Sequence, residues 1–216
     1  MHLTRSFYTR PTRQLAQALL GCRLVRRWQD QRLSGLIIET EAYIGETDLA
    51  CHARVGRTAR NAVMYGRPGL AYVYFTYGMH WMLNVVSEAE HFPAAVLIRA
   101  LEPEEGIDLM RQHRSIPHPI ELCRGPAKLT QALRIDQALN GVDLCNRRGD
   151  LWIEAGVPMP ARLVARSPRV GLGATPEPWK SKPWRYWVKD NPFVSKSHSL
   201  HEKYLDTQRR LDYGIT

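Results

Sequence analysis

The chain has 216 residues, 44% hydrophobic and 24% charged, with a formal net charge of +9. That length supports one sizeable core, burying roughly 70% of the extended-chain surface, and the composition is that of an ordinary soluble globular protein. No apolar run approaches the ~20 residues that span a bilayer, the N-terminus lacks a secretory apolar segment, and four scattered cysteines without a C-x-x-C pair suggest neither a zinc knuckle nor a disulfide framework.

In chain order, Thr12 to Leu20 reads as a helix with Thr12 as its N-cap, an apolar face of Leu15, Ala18 and Leu19, and Gly21 at its end. Strand-like runs follow at Arg23–Trp28 and Leu33–Tyr43. The second carries Ile38-Glu39-Thr40-Glu41-Ala42-Tyr43, in which Glu39, Glu41 and Tyr43 share a face because residues two apart in a strand do. Strands disfavour Glu, so the pair reads either as a solvent-facing strand end or as carboxylates at the edge of a pocket. Asp48 to His52 comes next, with His52 open to a structural or a catalytic role. Gly56-Arg57-Thr58-Ala59-Arg60-Asn61 suits a loop that offers guanidinium and amide groups to phosphates, without the strand, Gly-rich turn and Lys of a nucleotide-triphosphate loop.

Leu70–Tyr77 and Trp81–Val86 read as strands on either side of a hairpin tip at Tyr77-Gly78-Met79-His80. Phe75 and Trp81 read as core, whereas Tyr72, Tyr74 and Tyr77 crowd towards the tip, where exposed aromatic surface awaits a partner. Ala94–Leu101 reads as a strand with Arg99 in an apolar run, which needs a buried partner, either a structural ion pair or Glu41. Glu102-Pro103-Glu104-Glu105-Gly106 reads as opening a helix through Arg111, and Gly125-Pro126 as opening another. Asp143–Trp152 holds a turn between short strands, Ser167–Trp187 reads as irregular surface loops, and the last ~20 residues as a polar tail.

No repeat or linker divides the chain, so the fold expected is α+β (mixed α/β): a single domain over 1–196, with a tail at 197–216 of unassigned role. Of 30 basic residues six are lysine, leaving 30 − 6 = 24 arginines. Arginine matches phosphate with a planar fork and stacks on aromatic faces. Basic loops interleaved with exposed aromatics are what a nucleic-acid surface needs.

The motifs around Glu41, Asp48 to His52, Gly56 to Asn61, Tyr72 to Met79, Asn84 and Leu97-Ile98-Arg99-Ala100-Leu101-Glu102-Pro103 resemble, in order and spacing, the alkyladenine (3-methyladenine, N-methylpurine) DNA glycosylase family. Gly125-Pro126-Ala127-Lys128-Leu129 and Arg169-Val170-Gly171 look like its later signatures. The resemblance implies a curved, mainly antiparallel sheet with a hairpin that inserts into DNA, and no metal or cofactor. Glu41 would deprotonate the attacking water and Arg99 help hold it, with Glu39 a supporting charge. Tyr43 and His52 would line one side of the flipped base and Tyr74 the other. Asn84 would crowd the amino group of guanine, Leu97 complete the pocket, and Tyr77 fill the gap left in the duplex. Arg57, Arg60 and Lys128 would face the DNA backbone. The partner implied is double-stranded DNA with damaged purines, bound by a monomer that is cytoplasmic and nucleoid-associated or otherwise intracellular on DNA, with no membrane.

The hairpin register conflicts with that assignment. A two-residue turn at Gly78-Met79 puts Asn84 on the face of Val73, opposite Tyr74, so a shared pocket demands a longer loop or a bulge. With no lysine or N-terminal proline placed to form an imine, hydrolysis without strand cleavage is expected. The alternatives are a catalytically silent nucleic-acid-binding protein and a carbohydrate hydrolase using Glu39 with Glu41. The second is disfavoured because such carboxylates flank the bond from opposing sides.

Overall fold

A computed structural model describes residues 3–195, so the tail expected after residue 196 lies outside the described residues. Two short helices open the chain, α1 (Arg5–Tyr8) and α2 (Thr12–Ala18). The strands β1 (Arg23–Trp28), β2 (Gln31–Ile44), β3 (Ala71–Thr76), β4 (His80–Val86) and β5 (Ala94–Glu105) come next. Then follow α3 (Ile107–Arg114), α4 (Pro126–Ala132), β6 (Leu151–Glu154), β7 (Val164–Ser167) and β8 (Arg185–Val188). Among the described residues no helix is long and apolar enough to cross a membrane.

The mixed α and β content forms one domain around one antiparallel sheet, in the strand order β3-β4-β5-β2-β1-β6. Its backbone is β2. Along one edge β2 pairs with β5; along the other it pairs first with β1 and then, at Glu39 to Glu41, with β8. A strand that changes partner along one edge bends the sheet, and the ladder with β5 slips by one residue around Glu39. Past its first two residues β2 has no exposed position, because both faces are covered. Helix α2 covers the face that carries Thr40, whose hydroxyl donates to the Ala16 carbonyl at 2.8 Å. Leu15, Leu19, Ile38 and Ala42 pack there in the main core, each large aliphatic side chain contributing ~1.5–3 kcal/mol by leaving water. The opposite face of β2 carries Glu39, Glu41 and Tyr43.

Four sequence expectations are corrected here. Thr12 is the first helical residue rather than the cap, which is Pro11; its buried hydroxyl is held by Ser87 and Glu88. Glu102 to Glu105 do not open a helix. They extend β5 against Ser34, Gly35 and Leu36, with Glu104 paired to Arg23 and Glu105 to Arg32, and the chain turns into α3 only at Gly106, at φ +73°. Cross-strand arginines outweigh the helix dipole's preference for those carboxylates. Phe75 is not core: it is 41% exposed and packs on Trp81 at 4.8 Å. Finally, Ser167–Trp187 is not all surface loop, since it holds a fully buried arginine, Arg169, and the start of β8.

The hairpin resolves the register conflict. Tyr77 and Gly78 both take left-handed backbone, φ +52° and +68°, and the Met79 amide donates to the Thr76 carbonyl at 3.2 Å. That is the I′ turn matched to strand twist. The ladder resumes at Thr76↔His80, leaving Met79 as the extra residue of a bulge. Tyr72, not Val73, therefore faces Asn84.

Candidate active site

Pairing aligns one row across four strands: Glu41 of β2 opposes Leu97 of β5, Leu97 opposes Asn84 of β4, and Asn84 opposes Tyr72 of β3. Residues two positions along join them on that face: Tyr43 opposite Ala95, and Tyr74 opposite Met82. Together with His52, Arg99 and the loop residues Val170, Gly171 and Leu172 they surround a cavity of about 300 Å³, the size of a small-molecule site.

Glu41 lies directly behind this cavity and is fully buried. Its Oε1 accepts the Val170 amide at 2.7 Å. Its Oε2 accepts the Tyr43 hydroxyl at 2.8 Å and faces Arg99 Nη1 at 3.3 Å. A carboxylate offers about four lone-pair sites, and the single hydrogen bond on Oε1 leaves that oxygen able to accept another. Burial pushes the Tyr43 phenol well up, and Glu41 pushes it further, so Tyr43 stays a donor. Burial works against the Arg99 charge, but Glu41 and Glu39 outweigh it and raise its pKa.

Glu39 is fully buried too, which excludes the solvent-facing reading of both carboxylates. It accepts Arg99 Nε at 3.1 Å, Arg185 Nε at 2.6 Å, and the Ser195 amide and hydroxyl at 2.7 and 2.9 Å. Arg99 thus bridges two carboxylates with different surroundings: Glu39 is saturated by structural donors, whereas Glu41 borders the cavity's own walls.

The aromatic walls group differently from the expectation. His52 packs edge-on against Tyr74, with centroids 4.4 Å apart, rather than standing opposite it. Its Nδ1 is 2.9 Å from the Tyr72 hydroxyl. Burial, then Arg60 and Arg54, lowers its pKa to about 4, so the ring is neutral near pH 7. Burial raises the Tyr74 phenol to about 12. Asn84 is buried and donates Nδ2 to the Tyr72 carbonyl at 3.1 Å, which leaves its amide oxygen unspent. Tyr77 lines the cavity from the hairpin tip and is 77% exposed.

The three basic residues assigned to the DNA backbone differ among themselves. Arg57 is exposed beside Tyr65. Arg60 folds onto the hairpin, donating to the Phe75 carbonyl at 2.8 Å with its guanidinium 5.5 Å from the Tyr74 ring. Lys128 is half-buried and already paired with Glu121. Sequence reasoning gave no role to Asp48 or to the Val170 amide. The signal for the second was there, in Arg169-Val170-Gly171, but nothing local says that it meets Glu41 129 residues away.

The comparisons with known proteins agree with one another. A family model described as methylpurine-DNA glycosylase (MPG) matches residues 6–192. A protein of Methanocella arvoryzae is 49% identical over 90% of this chain and 96% of its own length. One of Carboxydothermus hydrogenoformans is 48% identical over 91% of this chain and 100% of its own, and one of Myxococcus xanthus 45% identical over 90% and 93%. All three carry 3-methyladenine DNA glycosylase as a provisional name.

Proposed function

Because the chain belongs to the methylpurine-DNA glycosylase family, we propose that it flips alkylated purines of the 3-methyladenine type out of duplex DNA and hydrolyses their N-glycosidic bond. The observation that carries the reading is Glu41: a buried carboxylate held by two hydrogen bonds and an ion pair, with Oε1 able to accept one more donor, beside a cavity lined by aromatic rings. A water on that site is the nucleophile, Glu41 takes its proton, and the negative charge steadies the oxocarbenium ion that develops on the sugar. Tyr43, Arg99 and Val170, which hold Glu41, also line the cavity, so the carboxylate is tied to its wall.

A base inside the duplex cannot be reached, and extruding it costs a few kcal/mol. Stacking returns ~1–3 kcal/mol per aromatic contact, so Tyr43 on one side and Tyr74 with His52 on the other offset most of that cost. Tyr77 fills the space left behind. Alkylation at N3 or N7 makes the purine cationic, which both weakens the glycosidic bond and adds ~0.5–2 kcal/mol of attraction to a tyrosine face. One face of Tyr43 already carries Arg169 at 4.6 Å, so the gain there lies at the low end. Asn84 and Leu97 narrow the slot against the amino group of guanine. Arg57 meets the backbone first; Arg60 and Lys128 reach phosphate on releasing Phe75 and Glu121.

The test is excision from duplexes carrying 3-methyladenine, 7-methylguanine or no lesion. Release of the alkylated bases with the abasic strand left intact supports a monofunctional enzyme. Strand cleavage at the abasic site would contradict that part, and tight binding without release would favour a catalytically silent binder.

A further inference from the structure

Beneath the candidate site lies an ion pair that the proposed chemistry does not use. Asp48 and Arg169 are both fully buried. Arg169 grips both carboxylate oxygens, Nη1 to Oδ2 at 2.6 Å and Nη2 to Oδ1 at 2.9 Å. The same guanidinium donates to the Ala42 carbonyl at 2.9 Å and the Trp179 carbonyl at 3.3 Å. It is sandwiched between the rings of Tyr43 at 4.6 Å and Trp184 at 5.0 Å. Asp48 in turn accepts the amides of Ile44 at 3.2 Å and Ala50 at 3.1 Å.

These contacts converge on the parts of the pocket that lie outside the sheet. Asp48 fixes the loop after β2 that delivers Ala50 and His52. Arg169 fixes the loop whose next residue, Val170, gives Glu41 its amide, and whose following residues line the cavity. The guanidinium also backs Tyr43 on the face turned away from the cavity, since Arg169 is not itself a lining residue. A loop held only by its own turns is free to drift, and a misplacement of about 1 Å costs on the order of 100-fold in rate.

We infer that Asp48 and Arg169 are positioning residues: their ion pair locks the 168–172 loop to the end of β2, so that the Val170 amide and the Tyr43 hydroxyl hold Glu41 in its working orientation. The pair touches neither base nor sugar. This rests on the reading of Glu41 given above.

Arg169→Lys is the decisive variant. It keeps the charge, so Asp48 is not left bare in the interior, but it has neither the planar fork nor the stacking face. Thermal melting checks that it folds. Single-turnover release of 7-methylguanine is expected to fall about thirtyfold or more, while affinity for a duplex carrying a tetrahydrofuran abasic analogue stays within about threefold. Hydrogen exchange at the Val170 amide is expected to accelerate. Should release stay within about threefold of wild type, or fall only in step with affinity and melting temperature, the positioning role is overturned. The second variant, Asp48→Asn with Arg169→Gln, removes both charges while keeping polar groups at both positions, and is expected to show the same split between release and affinity. A wild-type protein that releases no base would contradict the glycosylase reading alone. The exchange arm still decides the clamp, since unchanged Val170 protection in Arg169→Lys would refute it.

Discussion

At the scale of residues, the site is an exercise in giving similar groups different surroundings. Glu39 and Glu41 sit two positions apart and share Arg99, yet Glu39 is saturated by Arg185 and Ser195 while Glu41 keeps an acceptor site. Their common face was legible from strand periodicity, and so was the need of Arg99 for a buried partner. Which carboxylate borders the pocket was not, because that depends on Val170 and Ser195, remote in the chain. His52 offers a residue-scale prediction. Burial, then Arg60 and Arg54, holds it at about 4 in the folded chain against 6.5 when unfolded. Above pH 6.5 both states carry it neutral; between 6.5 and 4 only the unfolded chain takes the proton, so stability is lost as pH falls through that window. Denaturant titrations should show wild type losing stability relative to His52→Gln from pH 7 to 4. A difference independent of pH would contradict the lowered value. For Asn84, replacement by Ser should raise release of unmodified guanine from normal duplex, measured as free base; no increase would remove its role in exclusion.

At the scale of elements, the hairpin shows why a pocket can hang on one residue. The three-residue loop Tyr77-Gly78-Met79 sets Asn84 opposite Tyr72, where a turn at Gly78-Met79 would give Val73, and a one-residue slip would send Asn84 to the other face. Sequence placed the tip correctly and also showed that a simple turn could not serve; only backbone geometry identifies the bulge. The tip further stores strain, since Tyr77 is an aromatic residue at φ +52°, a conformation that costs roughly 1–2 kcal/mol outside glycine and asparagine. Tyr77→Asn is therefore expected to preserve or raise the melting temperature while weakening affinity for lesion-containing duplex. A variant that melts lower, or that binds lesion DNA as tightly as wild type, would contradict the wedge. By contrast, β5 was misread beyond Leu101 because acidic residues before a glycine look like a helix start, when Arg23 and Arg32 on neighbouring strands claim them.

At the scale of the whole molecule, the bend of β2 gathers the site. By leaving β1 for β8 it brings segments from both halves of the chain under one cavity, which no local pattern foretells. The formal charge of +9 predicts an electrostatic encounter with DNA. The logarithm of the binding constant should fall against the logarithm of salt with a slope of about −0.9 per phosphate neutralised. Arg57→Ala should make that slope shallower by about one such step; a slope near zero in wild type would exclude backbone binding.

Whether Glu41 activates the water is read by single-turnover excision of 3-methyladenine with Glu41→Gln. Gln keeps the volume and accepts through only one atom, so release should fall about 10³-fold or more, within the range of lost general-base catalysis. Affinity for a tetrahydrofuran duplex should stay within about threefold. Release at near the wild-type rate would exclude Glu41 as the base.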